Sequence, residues 1–330
     1  MLLLSKKEMQ SVFSMKDAVQ AAKEAFVVYS AGKANIPLRI NLDVAKHHGQ
    51  TLFMPGYIEE INCSGLKVVS VFPGNAAKGR PTTPATMLVV SGETGEVAAI
   101  LDGTYLTQLR TGAVAGAATD LLARKDASAG ALIGTGGQAA AQLEAMLTVR
   151  NLTTVKVFSL NAEHGKQFVD RMQIELACYG AAISLAGTAA EAIAGADIIT
   201  TVTTAKSPTF DGRLVKPGAH INAVGSYTPQ MQELDEYILV HADKFFVDAK
   251  EAAVEETGDI IIPLRKGIIN EGRIAGEIGQ LLQGQVAGRQ NAAEITVFKT
   301  VGLAVFDIMT AKRILDKALE AKVGTAVSFN

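Results

Sequence analysis

The run Ala131-Leu132-Ile133-Gly134-Thr135-Gly136-Gly137-Gln138-Ala139 constrains the fold of this chain more than any other stretch. Three apolar residues lead straight into a glycine turn. A helical pattern follows at once, with Ala140, Leu143, Met146 and Leu147 on one face. A strand that becomes a helix within a few residues needs a first glycine for the tight turn and a second to keep the turn's inner surface bare backbone. A small third residue then lets helix and strand pack closely. The start of such a helix presents unpaired N–H groups and positive potential, the combination that holds a diphosphate. The spacing Gly134-x-Gly136-x-x-Ala139 is weak alone; strand before, helix after and a βαβ unit around it give it meaning.

That unit is part of a longer rhythm. After Asp126, strands are expected at 129–133, 154–159, 182–185, 197–202, 219–224 and 244–247, with helices between several of them. The alternation predicts a doubly wound parallel sheet with helices on both faces, an α/β fold of Rossmann type. The first 100 residues read differently. Ser5 with Glu8, and Ser14 with Asp17, are capping signatures, and the second opens a helix ending near Gly32. From Leu38 the period changes to two: Leu38, Ile40, Leu42 and Val44 alternate with polar residues, the pattern of a half-buried strand. Further strands at 51–57, 66–72, 87–90 and 97–101 make this part largely antiparallel. Leu106, Leu109, Ala113, Ala117 and Leu121 mark a connecting helix, and 300–322 reads as a last helix that returns to the first part.

Composition narrows the partners. The chain has 330 residues, long for one domain, and 31 basic against 33 acidic side chains leave a net charge of -2. With no polybasic tract, 5% aromatic residues and no Trp, nucleic acid and anionic membrane are poor partners. No apolar stretch is long enough for a membrane span or, at the N-terminus, for a signal peptide, so a cytoplasmic protein is expected. Cys63 and Cys178 stand far apart, which argues against a disulfide framework or a cysteine metal site. His47-His48 has no Cys, Asp or Glu cluster to complete a coordination set, and it reads as a polar hairpin turn. No metal is expected.

Three cations stand in apolar surroundings. Lys67 interrupts Gly65-Leu66-Lys67-Val68-Val69-Ser70-Val71-Phe72, so it must reach solvent along its stem or meet an anion. Arg110 interrupts the small-residue helix 109–117, where an internal ion pair is the competing reading. Arg39 lies on the polar face of its strand, where a solvated position competes. If the three converge they make a carboxylate pocket. At the end of the second strand of the βαβ unit, Ser159-Leu160-Asn161 stands where an Asp or Glu would favour NAD, and no Arg there attracts a 2′-phosphate. Either NADH or NADPH fits this, with a slight lean toward tolerance of the extra phosphate.

With these residues in place, the chain resembles the ornithine cyclodeaminase/mu-crystallin family along nearly its whole length. The matching stretches are Pro37-Leu38-Arg39, Met54-Pro55-Gly56-Tyr57, Gly65 to Asn75, Leu106 to Ala113, Gly134 to Ala139, Asn222-Ala223-Val224-Gly225 and Ile295 to Gly302. The resemblance implies a homodimer whose α+β substrate-binding and dimerisation domain comprises 1–124 and 303–330, with the dinucleotide domain, 125–302, inserted between them. It implies that Arg39, Lys67 and Arg110 surround a substrate carboxylate, with Met54, Val301 and Gly302 beside it. Thr82, Arg110, Thr111, Gly134, Gly136, Gly137, Gln138 and Ala139 are then expected to line the cofactor. Ser159, Asn161, Thr203, Val224, Gly225 and Thr300 complete that lining.

One departure matters. Cyclodeaminases of the family carry an aspartate in a Gly-Gly-Asp-Cys-Pro run; this sequence has Gly225-Ser226-Tyr227-Thr228-Pro229, with Tyr227 in that place. A tyrosine with an ordinary pKa near 10 is no base at neutral pH. It donates a hydrogen bond or only walls the pocket. Relatives that reduce cyclic imines often lack the aspartate. The resemblance therefore points to an NAD(P)H-dependent reductase of ketimine carboxylates, taking Δ1-pyrroline-2-carboxylate or Δ1-piperideine-2-carboxylate to L-proline or L-pipecolate. Lys67 and Tyr227 are its candidate catalytic residues. Ornithine cyclodeamination, alanine dehydrogenation and reductive joining of two amino acids are the enzymic alternatives. A mu-crystallin-like, NADPH-dependent protein that binds a small ligand is the alternative of another class.

Overall fold

A computed structural model describes residues 1–328, the side chain of Ala76 excepted. The chain separates into two compact units, Met1–Arg110 with the chain from Leu303 onward, and Thr111–Gly302.

The chain runs in the first unit through β1 (Leu2–Leu4), α1 (Lys6–Val12), α2 (Met15–Ser30), β2 (Ala34–Asn35), β3 (Ile40–Val44), β4 (Gly49–Ile58), β5 (Cys63–Val71), β6 (Ala85–Ser91), β7 (Val97–Asp102) and into α3 (Gly103–Leu122). The second unit holds β8 (Ala129–Ile133), α4 (Ala139–Val149), β9 (Thr154–Phe158), α5 (Ala162–Glu175), β10 (Ala182–Leu185), α6 (Ala189–Ile193), β11 (Ile198–Thr201) and β12 (His220–Ala223). It continues with α7 (Glu236–His241), β13 (Lys244–Val247), α8 (Lys250–Glu256), α9 (Gly258–Arg265), β14 (Gly276–Glu277), α10 (Ile278–Leu282) and β15 (Thr296–Lys299). The first unit is then rejoined by α11 (Ala304–Ala321) and β16 (Thr325–Ala326).

Both expected capping boxes form. The Glu8 carboxylate accepts from the Ser5 N–H at 2.7 Å while Ser5 Oγ accepts from the Glu8 N–H, and Ser14 with Asp17 repeats the pattern. In the first unit the sheet order is β16-β1-β7-β6-β5-β4-β2, with β3 also on β4. Its neighbours are antiparallel except β1, which lies parallel to β7 and was not expected from sequence. Helices α2 and α11 pack together, with Phe26 and Phe306 in edge contact at a centroid distance of 4.7 Å.

Two glycines set how closely α11 lies on the sheet. Gly56 and Gly65 are register partners on β4 and β5, and a Cβ on either would stand 2.8 Å from the Ile308 side chain. Leaving both positions bare lets the helix settle directly over the strands. Met54 and Lys67, two residues along each strand from this pair, are also register partners and share its face.

The second sheet is wholly parallel, in the order β10-β9-β8-β11-β12-β15-β13-β14. Alternate residues feed two cores: Ala131, Ile133, Ile199, Ile221 and Phe245 on one face, Leu132, Val155, Val157 and Ile198 on the other. A parallel sheet buried on both faces explains why these strands are nearly continuous apolar runs. From β8 the chain proceeds outward to β9 and β10, then crosses back to β11 on the other side. That places a topological switch point at β8, where open α/β sheets bind ligands.

Two expectations are corrected. The last helix begins at Ala304, not Thr300, because 296–299 form an internal strand and Gly302 turns the chain at φ +79°. And β3 is not half-buried: its Ile40 and Leu42 are 57% and 53% exposed, and Leu38 just before it 64%, so its apolar face meets solvent within this chain. Among the described residues no helix is long and apolar enough to cross a membrane.

The seating of α11 has a direct test. Gly65→Ala puts a methyl 2.7 Å from Met87 Cε and 2.8 Å from Ile308 Cγ1. The methionine end can move; the branched Ile308 on a packed helix cannot. Overpacking of this kind should lower unfolding free energy by about 1–3 kcal/mol in urea titration. An unchanged midpoint would show that α11 is not held at this distance.

Candidate functional site

In the first unit, charge collects under α11. Lys67 is buried in β5 with Met54 and Met87 as its register partners on either side, both buried as well. Its Nζ donates to Asp307 Oδ2 at 2.7 Å. Arg110 Nε stands 2.9 Å from the other carboxylate oxygen, close enough for an ion pair though the N–H is not aligned for a hydrogen bond. Lys67 and Asp307 are both inaccessible to solvent and Arg110 nearly so. One buried carboxylate thus serves two buried cations, leaving a positive charge over when Lys67 is protonated.

This arrangement bears on Lys67 itself. Burial pushes its pKa down from the ordinary lysine value to about 7, and the charges of Arg110 and, less strongly, Arg39 push the same way. The charge and hydrogen bond of Asp307 oppose them. Arg39 is half-buried in the segment just before β3, not on the strand's face, and its charge is felt at Lys67. Lys67 and Arg110 are thus brought together on Asp307, the internal ion pair that competed with a carboxylate site for Arg110, and Arg39 acts on the lysine only through its charge. Thr82 lies exposed between β5 and β6, its carbonyl accepting from Phe72 N–H at 2.8 Å.

In the second unit the glycine turn leaves β8 with Gly134 at φ +106°, where a Cβ would strike the Val202 carbonyl oxygen at 2.6 Å. Gly136 and Gly137 differ: a Cβ on either would meet nothing within 4 Å. The turn therefore keeps open space above bare backbone. Helix α4 has no side-chain cap at Gln138, and the buried Gln138 Oε1 has no hydrogen-bond partner among the described residues. An uncapped helix start beneath open space fits the diphosphate of a dinucleotide. At the end of β9, Thr135 Oγ1 donates to Ser159 Oγ at 2.9 Å and lies 3.1 Å from His164 Nδ1, while Asn161 caps α5 by accepting from the His164 N–H.

The exits of β11, β12 and β15 gather beside this turn. A Cβ on Gly225 would lie 2.1 Å from the Thr203 carbonyl oxygen, so two loops cross in backbone contact. Beneath them, buried Glu233 accepts from Thr203 N–H (2.6 Å), Thr203 Oγ1 (2.8 Å), Gly225 N–H (2.6 Å) and Ser226 N–H (3.2 Å). Asp248 takes Thr300 Oγ1, Val301 N–H and Gly302 N–H in the same way, at 2.6, 2.9 and 2.9 Å. Thr203, Val224, Gly225, Thr300, Val301 and Gly302, all named from sequence, thus share the carboxyl edge of the parallel sheet. Tyr227 is half-buried in the turn after Ser226, whose hydroxyl is tied to Met231 O and Thr257 Oγ1. Thr111 follows Arg110 directly along α3 as the first residue of the second unit.

Sequence reasoning missed the carboxylates. Asp307 sits in Ala304-Val305-Phe306-Asp307-Ile308-Met309, an acid in an apolar run, the same signal that singled out Lys67. Glu233, Asp248 and Asp259 carried no comparable signal. Both cysteines are free thiols, and no group of three or more His, Cys, Asp or Glu among the described residues could hold a metal ion.

The model of the ornithine cyclodeaminase/mu-crystallin family matches residues 1–322. A Delta(1)-pyrroline-2-carboxylate reductase of Bacillus cereus is 41% identical over 329 residues, covering 100% of both chains. The structure of Thermococcus litoralis Delta(1)-pyrroline-2-carboxylate reductase with NADH and L-proline aligns with a TM-score of 0.94 and 41% identity, over 99% of this chain and 100% of that one. An archaeal alanine dehydrogenase dimer with bound NAD aligns at 0.90 and 37%, over 100% and 99%.

The depressed Lys67 gives a pH prediction. Between about pH 7 and the ordinary lysine pKa, the unfolded chain holds a proton that the folded one has lost. Stability contributed by this group therefore rises with pH through that window, by about 1.4 kcal/mol per pH unit, and the full cost of burying the charge remains below it. Lys67→Met should remove this slope. Urea titrations of both proteins from pH 6.5 to 9.5 should show the wild type gaining on the variant; parallel curves would place the Lys67 pKa outside the window.

Proposed function

The chain belongs to the ornithine cyclodeaminase/mu-crystallin family, and within it we propose that this protein is an NAD(P)H-dependent reductase of cyclic ketimine carboxylates, forming L-proline or L-pipecolate. The observation that carries the reading is the buried cluster of Lys67 and Arg110 on a single Asp307, with Arg39 acting on the same lysine. A buried excess of positive charge is costly unless an anion answers it. A substrate carboxylate supplies that anion, and a guanidinium takes it in two parallel hydrogen bonds. The similarity to pyrroline-2-carboxylate reductases along the whole chain supports the same substrate class.

The dinucleotide, held by its diphosphate at the Gly134–Ala139 turn, supplies hydride from its nicotinamide. The reaction needs only position and a proton: a protonated imine is already a strong hydride acceptor. Arg39 and Arg110 fix the carboxylate. Lys67, with a pKa near neutrality, hydrogen-bonds the substrate and keeps its imine nitrogen protonated. Met54 walls the ring. Tyr227 stands where a cyclodeaminase would need a carboxylate base, and its phenol serves as donor or wall. In the second unit Thr111, Gly136 to Ala139, Ser159, Asn161, Thr203, Val224, Gly225 and Thr300 are assigned to the nucleotide. Neither nucleotide is excluded by the Ser159-Leu160-Asn161 end of β9.

We further propose a cytoplasmic homodimer. Ile40 and Leu42 on β3, with Leu38 just before it, present apolar side chains that solvent would otherwise cover. Light scattering on a sizing column should give twice the chain mass, and Ile40→Glu with Leu42→Glu should yield a monomer; a wild-type monomer would sink this assignment.

Activity is tested by oxidation of NADH and of NADPH with each cyclic imine, with ornithine plus NAD assayed in parallel for ammonia. Imine-dependent oxidation is expected. Ammonia release from ornithine without imine reduction would favour the cyclodeaminase. Arg110→Ala should lower kcat/KM by about a hundredfold or more while nucleotide affinity stays near wild type. Unchanged turnover would remove Arg110 from the carboxylate site.

A further inference from the structure

Glu233 lies outside the chemistry just described, yet it is wholly buried and fully used. Its two carboxylate oxygens divide between two loops. Oε1 takes both donors of Thr203 at the exit of β11; Oε2 takes the backbone of Gly225 and Ser226 at the exit of β12. The two loops touch at the Gly225–Thr203 crossing, which leaves no room for a side chain. The clamp is itself anchored. Asp259 Oδ1 accepts from the N–H groups of Glu233 and Leu234 at 2.6 and 2.9 Å, and its Oδ2 pairs with buried Lys299 at 3.1 Å. Lys299 ends β15, directly before Thr300. Three neighbouring strand exits are thereby joined through buried charges that need not face ligand.

The position of these exits gives the clamp a purpose. In an open α/β sheet a dinucleotide lies across the switch point, its adenosine half over the strand that carries the ribose-binding residue. Here that strand is β9, followed directly by Ser159, so the nicotinamide half falls on the other side of β8, over β11 and β12. We propose that Glu233 is a positioning residue for the nicotinamide half of the dinucleotide, holding the Thr203 and Gly225 loops in one register from below. The inference rests on dinucleotide binding by this chain. A carboxylate is required because only it accepts on both oxygens; a glutamine amide can accept on one alone and must present N–H groups to donors on the other.

The experiment compares full-length wild type and Glu233→Gln, measuring affinity for NADH, for NADPH and for ADP-ribose, which lacks the nicotinamide. NADH affinity should fall about tenfold and ADP-ribose affinity should stay within about twofold. With NADH deuterated at C4, the isotope effect on kcat should change as hydride donor geometry loosens; a purely structural role would leave it alone. Equal loss for both ligands, or loss for neither, overturns the inference. Wild type that binds neither nucleotide overturns the dinucleotide reading and the inference with it. Should the variant fail to fold, amide exchange on wild type decides. The Thr203 and Gly225 amides should already be protected without nucleotide and unchanged by ADP-ribose; exchange at open-loop rates until NADH is added overturns the clamp.

Discussion

The first unit depends on Asp307. Its carboxylate is the one feature that lets a lysine and an arginine be buried side by side, since each cation alone would be desolvated beside a like charge. The pairing also dictates packing. To reach Lys67 Nζ at 2.7 Å, α11 must lie against β4 and β5 at the distance that Gly56 and Gly65 permit. Charge and close approach are two descriptions of one constraint. Larger residues at the glycines would lift the helix, and the lifted helix would strand three charges.

The second unit uses the same device on backbone. Glu233 gathers donors from the exits of β11 and β12, Asp248 gathers three from the exit of β15, and Asp259 ties the Glu233 clamp to Lys299. Loops at the edge of a sheet are ordinarily its least stable part. Here their amides are answered from below by buried carboxylates, while the glycine turn beside them, at the exit of β8, is left open at Gly136 and Gly137. Burial raises the pKa of Glu233, with Asp259 adding to the effect and Lys299 resisting it. Lys299 thus acts as counter-ion for two acids at once. The result is a row of braced strand exits beside an open turn, the form expected of a preorganised nucleotide seat.

Much of this was legible before the structure, and what was not has a physical pattern. The two capping boxes are local, three residues apart, and were read correctly from Ser5–Glu8 and Ser14–Asp17. The strand–turn–helix at 129–149 is local as well. By contrast, Asp307 meets a lysine 240 positions away. No spacing rule connects them; only the register of β5 and the seating of α11 do. The strand β15 escaped notice because four residues ending in lysine carry too little periodicity, and the last helix was read as beginning at Thr300, directly after it. At β3 the pattern was right and its meaning was not: alternation shows that one face seeks cover, not that this chain provides it.

The chemistry turns on how finely Lys67 is held. Burial together with two neighbouring guanidinium charges, unopposed, would leave this amine neutral at physiological pH, unable to bind a carboxylate by charge or to keep an imine protonated. A second carboxylate would do the opposite, locking the proton in place and cancelling the field that attracts substrate. One carboxylate against two contacting cations lies between these limits. It brings the lysine to about 7, where protonated and neutral forms coexist and proton transfer in either sense costs least. In the proposed reaction the substrate carboxylate would supply the second negative charge, and its binding would draw the proton onto the lysine. For the proposed reaction, Tyr227 in place of an acidic residue is consistent: a reductase that needs a protonated imine gains nothing from a base.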